Sequence, residues 1–477
     1  MSSLHPGGDG LIEVAVPLRP LTSFEGAADS AQYEQFLTTA GTAKELFRGR
    51  VIWNVNSTPQ GGGVAEMLRP LLGYVRGAGV DGRWLVIRGD PGFFRVTKRL
   101  HNRLHGEPGD GGELGPGEHE AYRAVMDKNL QALSARIDPH DIVILHDPQT
   151  AGLTNGIRDI GARVVWRCHI GLDEPNEYAR NAWDFLAPSV ARANAYVFSH
   201  EAHVWDLLDR SRVHIIPPSI DLFAPKNYDL APPAVEGILA AAGIVSDHTG
   251  LPPDFVRSDG SPGRVDRKAV SVGGAVPSGV PVVVQVSRWD RLKDPIGVLT
   301  GFIEHVAPRT PDAHLALVGP EVVGVSDDPE GATVLSEVSE QWHRLPVPLR
   351  KRVHLISLPM ADSDLNAVMV NAIQRHARVV VQKSLAEGFG LTVAEALWKA
   401  RPVVASAVGG IQDQIEPGVS GILVEPRDLG AFGDATVHLL SDTNAATAMG
   451  ERARDRVRHH FLGPRHLLQY FDLVAAL

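Results

Sequence analysis

Short apolar runs of strand-forming residues alternate with helix-like segments along most of the chain. The runs are continuous rather than alternating in polarity, which is typical of parallel strands that are covered on both faces. Strands that alternate with helices predict crossover connections, and therefore parallel sheets. Twelve runs, six in each half of the chain, predict an α/β fold with two doubly wound parallel-sheet domains. The runs are Val51–Asn56, Trp84–Arg88, Asp141–His146, Arg163–His169, Ala195–Ser199, Val213–Pro217, Pro281–Val286, His314–Val318, Val353–Ser357, Arg378–Val381, Pro402–Ser406 and Gly421–Val424.

The two sets of strands are separated by a proline-containing segment, Pro217–Asp221, after which we expect the hinge between domains. This break predicts a first domain over residues 1–222 and a second over 223–458. Residues 247–279 are rich in Gly, Pro, Ser and Asp, so we expect a partly mobile loop insertion that leads into the second domain. The end of the chain, 459–477, has the apolar spacing of a helix.

Composition and charge narrow the class of protein but do not choose among enzymes. The chain has 477 residues, of which 44% are hydrophobic and 21% are charged, and its formal net charge is −10. This charge, with no dense run of Lys or Arg, disfavours a nucleic-acid surface. No run is long enough to span a membrane, and the start of the chain lacks the pattern of a signal peptide. We expect a soluble cytoplasmic protein that binds neither nucleic acid nor membrane. The sequence leaves open whether it forms a homodimer.

The segment 382–397 carries the clearest sign of a ligand site. A buried strand runs into a loop that contains Gly388 and Gly390, and a helix is predicted to start near Leu391. Glycine lets a ligand approach the backbone, and the free N–H groups of a helix start attract phosphate. The segment therefore predicts a site for a phosphate-bearing ligand.

Two glutamates in this segment extend the prediction to a sugar. Glu387 lies in the loop and Glu395 in the first predicted helical turn, where carboxylates can accept hydrogen bonds from sugar hydroxyls. Together with the phosphate site, they indicate a sugar attached to a diphosphate. In the alternative interpretation, Thr392 and Glu395 form a capping box and serve only to start the helix.

A pair of basic residues follows the strand at Val282–Val286. Arg288 offers a planar fork and Lys293 a compact charge, and both suit a diphosphate leaving group that gains negative charge as its bond breaks. The alternative is a solvated loop with ordinary surface charges.

A glycine-rich turn follows the first clear strand. Asn54 and Asn56 end that strand, and Gly62 and Gly63 enter a predicted helix whose N–H groups can face an anion or a sugar. The turn matches neither the dinucleotide-binding fingerprint nor a phosphate-binding loop with Gly-Lys-Ser/Thr. A tight strand-to-helix turn without a ligand is the other interpretation.

His169 lies at the carboxyl end of a predicted central strand, with polar residues after it. Ligands bind at the carboxyl ends of the strands in open α/β sheets, so His169 is a candidate site residue. Its neighbour Cys168, the one cysteine of the chain, points to the opposite face of the strand and is expected to be structural.

The motif Asp362-Ser363-Asp364 allows either a metal site or a helix cap. Because it precedes a predicted helix, we favour the cap and expect no metal to be required. The 20 histidines show no metal-binding spacing, and a single cysteine excludes a site made of several thiolates.

The basic pair, followed along the chain by the glutamate pair, resembles the donor site of retaining glycosyltransferases of the GT-B type. The resemblance implies two Rossmann-like domains that face each other across a cleft, with the C-terminal helix 459–477 crossing back onto the first domain. The stretches Asn54–Met67, Phe93–Gly106 and Trp166–Asn176 resemble, more narrowly, the nucleotide-sugar-dependent trehalose synthases. This narrower resemblance covers nearly the whole chain, apart from its first residues and parts of 247–279.

The resemblance implies roles for individual residues. Arg288 and Lys293 hold the diphosphate, Glu395 holds the nucleotide ribose, and His169 lies by the reacting carbon of the donor sugar. Asn54, Asn56 and Asp173 are implied acceptor contacts. Some family members have Asp where this chain has Gly171, and Asp173 is expected to substitute. The further donor contacts are implied to be Glu387, Gly62, Gly63, Gly388, Phe389, Gly390, Leu391 and Thr392.

The family chemistry implied is transfer of glucose from a nucleoside diphosphate glucose to free glucose, with retention, giving α,α-trehalose. No cofactor is implied beyond the donor itself. Three alternatives stay open, and the first is another retaining GT-B sugar transferase. A trehalose phosphorylase would use α-glucose 1-phosphate at the same site, and a sugar-binding protein without turnover would use the site for binding alone.

Overall fold

The computed structural model of the chain describes residues 4–6, 10–59, 62–246, 250–322 and 329–477. The chain forms two compact units, and each is discontinuous in sequence. The first comprises Met1–Ser219, Glu387–Phe389 and Phe461–Leu477, and the second comprises Ile220–Ala386 and Gly390–His460. Three residues of the glycine loop therefore group with the first unit rather than with the strand that precedes them.

Within the described residues, the first unit contains an eight-stranded sheet in the order β1-β2-β4-β3-β5-β6-β7-β8. The strands from β3 to β8 run parallel to their neighbours, whereas β1 and β2 add an antiparallel edge. The strand order reverses between β3 and β5, and an open α/β sheet binds ligands at the carboxyl ends of such a pair. The strands are β1 (Leu4–Pro6), β2 (Ile12–Val14), β3 (Val51–Asn56), β4 (Asp81–Val86), β5 (Ile142–His146), β6 (Arg163–Cys168), β7 (Ala195–Phe198) and β8 (Val213–Ile215).

The helices of the first unit connect these parallel strands and cover the sheet. Apolar side chains from the sheet and the helices form its core, in which Trp166, Phe198 and Trp205 are fully buried and contact one another edge to face. The helices are α1 (Ser30–Leu46), α2 (Gly62–Gly77), α3 (Pro91–Leu104), α4 (Pro116–Ser134), α5 (Asp147–Ala151), α6 (Thr154–Ile160) and α7 (Glu177–Val190).

Among the described residues of the second unit, a seven-stranded sheet has the order β11-β14-β13-β12-β15-β16-β17, and β9 pairs with β10 in a separate hairpin. All neighbours in the large sheet are parallel except β11, which pairs antiparallel with β14 at the edge. The order reverses between β12 and β15, as it does in dinucleotide-binding sheets. The strands are β9 (Asp254–Val256), β10 (Pro262–Arg264), β11 (Val270–Val272), β12 (Val282–Val286), β13 (His314–Pro320), β14 (Val353–Leu358), β15 (Val379–Gln382), β16 (Val403–Ser406) and β17 (Ile422–Val424).

The second unit has its own apolar core, in which Phe302 and Phe432 pack against the valine-rich strands. Its helices are α8 (Pro232–Ala241), α9 (Pro295–Gly301), α10 (Pro329–Arg344), α11 (Val347–Arg350), α12 (Ser363–His376), α13 (Leu391–Trp398), α14 (Ile411–Gln414), α15 (Leu429–Ser441) and α16 (Thr443–His460).

The last helix, α17 (Gly463–Ala475), belongs to the first unit and packs against α1. Basic residues near the amino end of α17 bond to the segment 217–219, where the first part of this unit ends. Arg465 donates to the carbonyl oxygens of Pro217 and Pro218 at 2.6 and 2.8 Å. The ring of His466 lies 2.9 Å from the hydroxyl of Ser219.

All twelve predicted strands are present, with ends shifted by at most a few residues. The strands that the pattern missed are short and antiparallel: β1, β2, β9, β10 and β11. The prediction that 247–279 is a loop is wrong for part of this segment, because its described residues include the hairpin β9–β10 and the edge strand β11. Arg257 and Ser258 of this hairpin bond to Asp362 and Asp364 at the start of α12.

Candidate active site

The carboxyl ends of β12 and β15 lie side by side where the second sheet reverses its strand order. The loop after β12 carries the two basic candidates, and the loop after β15 leads to the glycine-rich helix start. The backbone N–H of Leu385 donates to the carbonyl oxygen of Leu292 at 2.7 Å, which ties the two loops together. Residues that are far apart in sequence therefore meet at the expected ligand-binding edge of the sheet.

Arg288 and Lys293 are held differently. The Arg288 side chain is 53% exposed, and its guanidinium contacts the Asp290 carboxylate at 2.8 Å. Lys293 ends a 3₁₀ turn, Arg291–Lys293, and is half-buried. The carbonyl oxygen of Lys293 accepts from the amide of Gln285 at 2.9 Å, so a buried strand residue fixes its backbone. Arg288 can thus rearrange around a ligand, whereas the backbone of Lys293 is fixed.

A buried ion pair that sequence reasoning missed lies beneath these loops. Lys383 directly follows β15, is 1% exposed, and contacts the carboxylate of Asp294. Asp294 has a φ of +48° and caps α9, since its carboxylate accepts from the N–H of Gly297 at 3.0 Å. The N–H of Lys383 also donates to the amide oxygen of Gln285 at 3.2 Å. Lys383 therefore connects β15 to the residue after Lys293. The sequence signal for Lys383 was its position directly after an apolar strand.

Helix α13 begins at Leu391, as predicted, after Gly390, whose φ of +83° favours glycine. Within the described structure no side chain caps this helix, and the N–H of its third residue, Val393, donates to the carbonyl of Gly390 at 2.9 Å. A helix start of this kind is suited to bind an anion. Thr392 is the second residue of the helix, and its hydroxyl lies 3.4 Å from the amide oxygen of Gln382. The capping-box alternative is wrong, because the helix starts too early for Glu395 to reach back to the cap.

The sequence predicted Glu395 in the first turn of α13, but the residue lies in the second turn. The residue is 3% exposed, and its Oε1 lies 3.3 Å from the ammonium of Lys226. Lys399, one turn later, donates to the backbone carbonyl of Glu395 at 3.1 Å. A buried carboxylate with a cationic partner, beside an open helix start, is well suited to accept hydrogen bonds from hydroxyls.

In the first unit, the half-buried His169 directly follows β6 and joins a chain of polar side chains whose other members, Arg167, His146 and Asn54, are buried. Arg167 Nε donates to His169 Nδ1 at 3.5 Å, His169 Nε2 lies 3.1 Å from His146 Nδ1, and His146 Nε2 lies 3.1 Å from Asn54 Oδ1. A guanidinium can only donate, so Nδ1 of His169 accepts. Both neutral rings then carry their proton on Nε2, and His146 donates to Asn54.

The environment keeps both rings neutral. Burial and, to a smaller extent, the charge of the nearby Arg167 together lower the pKa of His146 to about 3. Burial, followed by the charge of Arg167, holds the pKa of His169 well below its usual value. Because both ring nitrogens of His169 are engaged, the ring is not available as a proton acceptor for a substrate. The sequence placed His169 correctly at a strand end, but it did not reveal His146 as its partner.

The backbone of His169 faces the glycine loop. A Cβ atom at Gly388 would lie 2.4 Å from the carbonyl oxygen of His169, too close for any residue except glycine. On either side of Gly388, Glu387 is half-buried and the Phe389 ring lies 5.7 Å from that of Phe461. The three loop residues Glu387–Phe389 are thus fitted against the end of β6 and the segment before α17.

Asp147 is a second residue that sequence reasoning missed. It follows β5 at the point where the first sheet reverses its order, and its φ of +63° is unusual for a residue with a side chain. Its carboxylate accepts from the N–H of His169 at 2.7 Å. Burial raises the pKa of Asp147 to about 7. Strained backbone and a perturbed carboxyl group at a sheet switch point together indicate a functional position.

The proposed acceptor contacts are engaged within the protein. Both ends of the Asn56 amide are used, since Oδ1 accepts from the indole of Trp84 and Nδ2 donates to Thr58, each at 2.8 Å. Asp173 lies 3.2 Å from Nε2 of His203. A Cβ atom at Gly171 would lie 2.2 Å from the His203 ring, so an aspartate at this position would clash with His203.

The remaining candidates fall into two groups. Gly62 and Gly63 are the exposed first residues of α2, and Gly62 has a φ of +79° with open space around its Cα. Gly61, in the same turn, lies outside the described residues. Cys168 is buried, its thiol donates to the carbonyl of Ile170, and burial raises the pKa of the thiol. These contacts support the structural interpretation of the cysteine.

Asp362 confirms the helix-cap interpretation of the Asp-Ser-Asp motif. Its carboxylate accepts from the N–H groups of Asp364 and Leu365 at 3.0 and 3.1 Å. In the part of the chain that the structure describes, no group of three or more His, Cys, Asp or Glu side chains is arranged to hold a metal ion. Within the same residues, no helix is long and apolar enough to cross a membrane.

Comparison with known proteins places this site in context. The family described as "Trehalose synthase, N-terminal domain" matches residues 54–205, and "Glycosyl transferases group 1" matches residues 266–456. The trehalose synthase of Rubrobacter xylanophilus is 36% identical over 92% of this chain and 94% of its own. The trehalose synthase of Pyrococcus horikoshii is 34% identical over 91% of both chains.

A solved structure extends the likeness to the fold. The alpha,alpha-trehalose-phosphate synthase (UDP-forming) from Burkholderia vietnamiensis aligns with a TM-score of 0.65, covering 89% of this chain and 98% of its own. The two sequences are 14% identical, so this likeness concerns the fold alone.

Proposed function

We propose, because this chain belongs to the trehalose synthase family of glycosyltransferases, that it transfers glucose from a nucleoside diphosphate glucose to free glucose with retention of configuration. The product would be α,α-trehalose, and the nucleoside diphosphate would be released. Trehalose metabolism and glycosyl transfer follow from the family. We propose three further points: the nucleotide donor, the free-sugar acceptor and the retention of configuration.

The junction between the loops after β12 and β15 is the observation that carries this proposal. The hydrogen bond from Leu385 to Leu292 holds the basic loop beside an uncapped helix start that is entered through Gly390. Two cations and an uncapped helix start at one edge of a sheet form a site suited to a diphosphate. A donor that carries two phosphates uses both elements.

In this site Arg288 and Lys293 would neutralise the diphosphate as its bond to glucose breaks. Glu387 and the backbone from Gly388 to Gly390, with Leu391 and Thr392 at the helix start, would hold the donor glucose and its phosphates. Glu395 would accept from the ribose hydroxyls. Gly62 and Gly63, at the open start of α2, are proposed to approach the phosphates.

The chemistry needs no carboxylate nucleophile. The acceptor hydroxyl forms a bond to the anomeric carbon on the face that the diphosphate leaves, and the bond from that carbon to the phosphate oxygen breaks. The departing diphosphate takes the proton of the acceptor hydroxyl, so atoms and charge balance. The neutral, fully bonded ring of His169 would orient the reactants, and its carbonyl would lie near the reacting carbon. The protein supplies positioning and positive charge.

On the acceptor side we propose Asp147 in addition to the residues inferred from the sequence. This half-buried residue lies at the reversal point of the first sheet, and its carboxylate accepts from the backbone N–H of His169. We propose that this carboxyl group binds a hydroxyl of the acceptor sugar. Asp173 and Asn54 remain proposed contacts of the acceptor sugar. Both polar atoms of the Asn56 amide are bonded within the protein, which favours a structural role for Asn56.

A panel of donors tests the proposal. Purified protein is mixed with glucose and one donor per reaction, and the donors are UDP-glucose, ADP-glucose, GDP-glucose and TDP-glucose. The release of nucleoside diphosphate is followed in each reaction. We expect release with at least one donor, dependent on glucose. A parallel reaction with α-glucose 1-phosphate is the contrast. Faster turnover there, with release of inorganic phosphate, would identify a phosphorylase, and no turnover in any reaction would favour a binding protein.

A further inference from the structure

The ion pair between Lys226 and Glu395 places a cation at the carboxylate that is proposed to bind the ribose. We propose that Lys226 is a positioning residue of the donor site, which holds Glu395 as an oriented anion and so determines recognition of the ribose hydroxyls. This inference rests on the proposed function, because it concerns the nucleotide part of the donor. No motif in the sequence pointed to Lys226.

The geometry of the pair supports a specific role. Lys226 Nζ lies 3.3 Å from Glu395 Oε1, the glutamate side chain is 4% exposed, and the lysine side chain is 20% exposed. A carboxylate that is removed from water requires a compensating charge, and without one it becomes protonated. As an anion it accepts from two hydroxyls, whereas in the protonated form one oxygen becomes a donor. The neighbouring 2′- and 3′-hydroxyls of a ribose match the anionic form.

The backbone around Lys226 is fixed on both sides. The carbonyl of Pro225 accepts from the Asn371 amide at 2.9 Å, and the carbonyl of Asn227 accepts from the indole of Trp398 at 3.1 Å. Trp398 belongs to α13, the same helix as Glu395. The lysine is thus presented from a segment that is anchored to the helix that carries its partner, and the distance between the two charges is set by the fold.

The other cation near Glu395 is less suited to this role. Lys399 donates to the backbone carbonyl of Glu395 and to the Asn227 side chain, at 3.1 and 3.2 Å. Burial lowers the pKa of Lys399, so its positive charge is weaker at neutral pH than that of an ordinary lysine. Lys226 Nζ, by contrast, lies 3.3 Å from the carboxylate oxygen Oε1 of Glu395.

The test compares Lys226→Met and Lys226→Arg with the control Lys351→Met. Lys351 is an exposed lysine of the same unit that lies before the amino end of β14, away from the ligand-binding edge. Each protein is assayed with the nucleoside diphosphate glucose that the wild type uses and with its 2′-deoxy and 3′-deoxy analogues. Binding of the free nucleoside diphosphate and of its deoxy analogues is measured by calorimetry.

For the wild type we expect the donor KM to be on the order of tenfold to a hundredfold higher with the deoxy analogues than with the natural donor. This is the effect of losing a hydrogen bond to a charged group. Lys226→Met should raise KM for the natural donor about tenfold while kcat changes less than about threefold, and it should discriminate little between ribose and deoxyribose. Lys226→Arg should restore much of the discrimination, and Lys351→Met should behave as the wild type does.

Two results would overturn the inference, and they can be told apart. If Lys226→Met keeps the full preference for ribose over deoxyribose, Lys226 serves only the stability of the fold, even though the enzyme uses a nucleotide sugar. If the wild type neither turns over a nucleotide sugar nor binds a nucleoside diphosphate, the proposed function fails and the inference fails with it. Calorimetry separates the two cases, because it requires no turnover.

Discussion

Breaking the ion pair between Lys383 and Asp294 should destabilise the second unit and disturb the basic loop above it. We predict that Lys383→Met, which keeps the length and apolar stem of the side chain, removes the cation and leaves the carboxylate next to apolar strands. Asp294→Asn makes the opposite change. Asparagine is an equally good helix cap and tolerates the left-handed backbone that Asp294 adopts, so the charge is the main difference.

The magnitude follows from the burial of the pair. The lysine side chain is 2% exposed and the aspartate side chain 18% exposed. Removing one partner of a buried pair costs about 3–5 kcal/mol, and the partial exposure of Asp294 places this case at about 3 kcal/mol. For a unit of this size, that cost corresponds to a fall of about 6–12 °C in Tm. The double variant removes both charges and should lose much less than the sum of the two single changes.

Thermal unfolding followed by circular dichroism, with Lys351→Met as the control, provides the measurement. Coupling should appear as a double variant that is more stable than additivity allows by about 1–3 kcal/mol. Activity of Lys383→Met should also fall at temperatures where the protein is folded, because the pair anchors the residue after Lys293. Strictly additive losses, or a single variant as stable as the wild type, would refute this reasoning.

Four further results are expected. Arg288→Ala and Lys293→Ala should each lower kcat by on the order of 10²-fold with the fold intact, and near-normal turnover in both would contradict the donor-site assignment. Gly388→Ala should lower activity by on the order of 10²-fold, because its Cβ would meet the His169 carbonyl at 2.4 Å, and a fully active variant would contradict this packing. Unfolded His146 takes up a proton below about pH 6.5, but the folded residue does so only at a pKa of about 3. Stability should therefore fall by about 1.4 kcal/mol per pH unit as the pH drops through this window, and His146→Gln should flatten the slope in calorimetry. Chelators should leave activity unchanged, and a loss that added metal reverses would contradict this.

Much of the fold could be predicted because its parallel strands are apolar on both faces. The twelve runs gave the two sheets, and the GT-B fold inferred from the motifs is confirmed by related structures. The short antiparallel strands escaped prediction because three-residue pairs such as β9 and β10 have no distinctive pattern. The edge strand β11 lies in a segment whose Gly and Pro content is typical of loops.

The candidate site was predictable where chemistry and chain position coincide. Arg288 and Lys293 follow a strand directly, and Gly390 precedes a helix, so both features can be recognised locally. Lys226 could not be found in this way, and for Lys383 the position after an apolar strand could be recognised but its partner Asp294 could not. Each acts through a contact with a residue far away in sequence, and only the folded chain brings those residues together.

The stereochemistry of the product tests the central claim most directly. The protein is incubated with the preferred nucleoside diphosphate α-glucose, labelled with ¹³C at the anomeric carbon, and with unlabelled glucose. Nuclear magnetic resonance then follows the label. We predict a single labelled α-anomeric signal in a non-reducing disaccharide, equal to that of α,α-trehalose, with one nucleoside diphosphate released for each disaccharide. A labelled β-anomeric signal, a reducing disaccharide or labelled free glucose as the main product would contradict it.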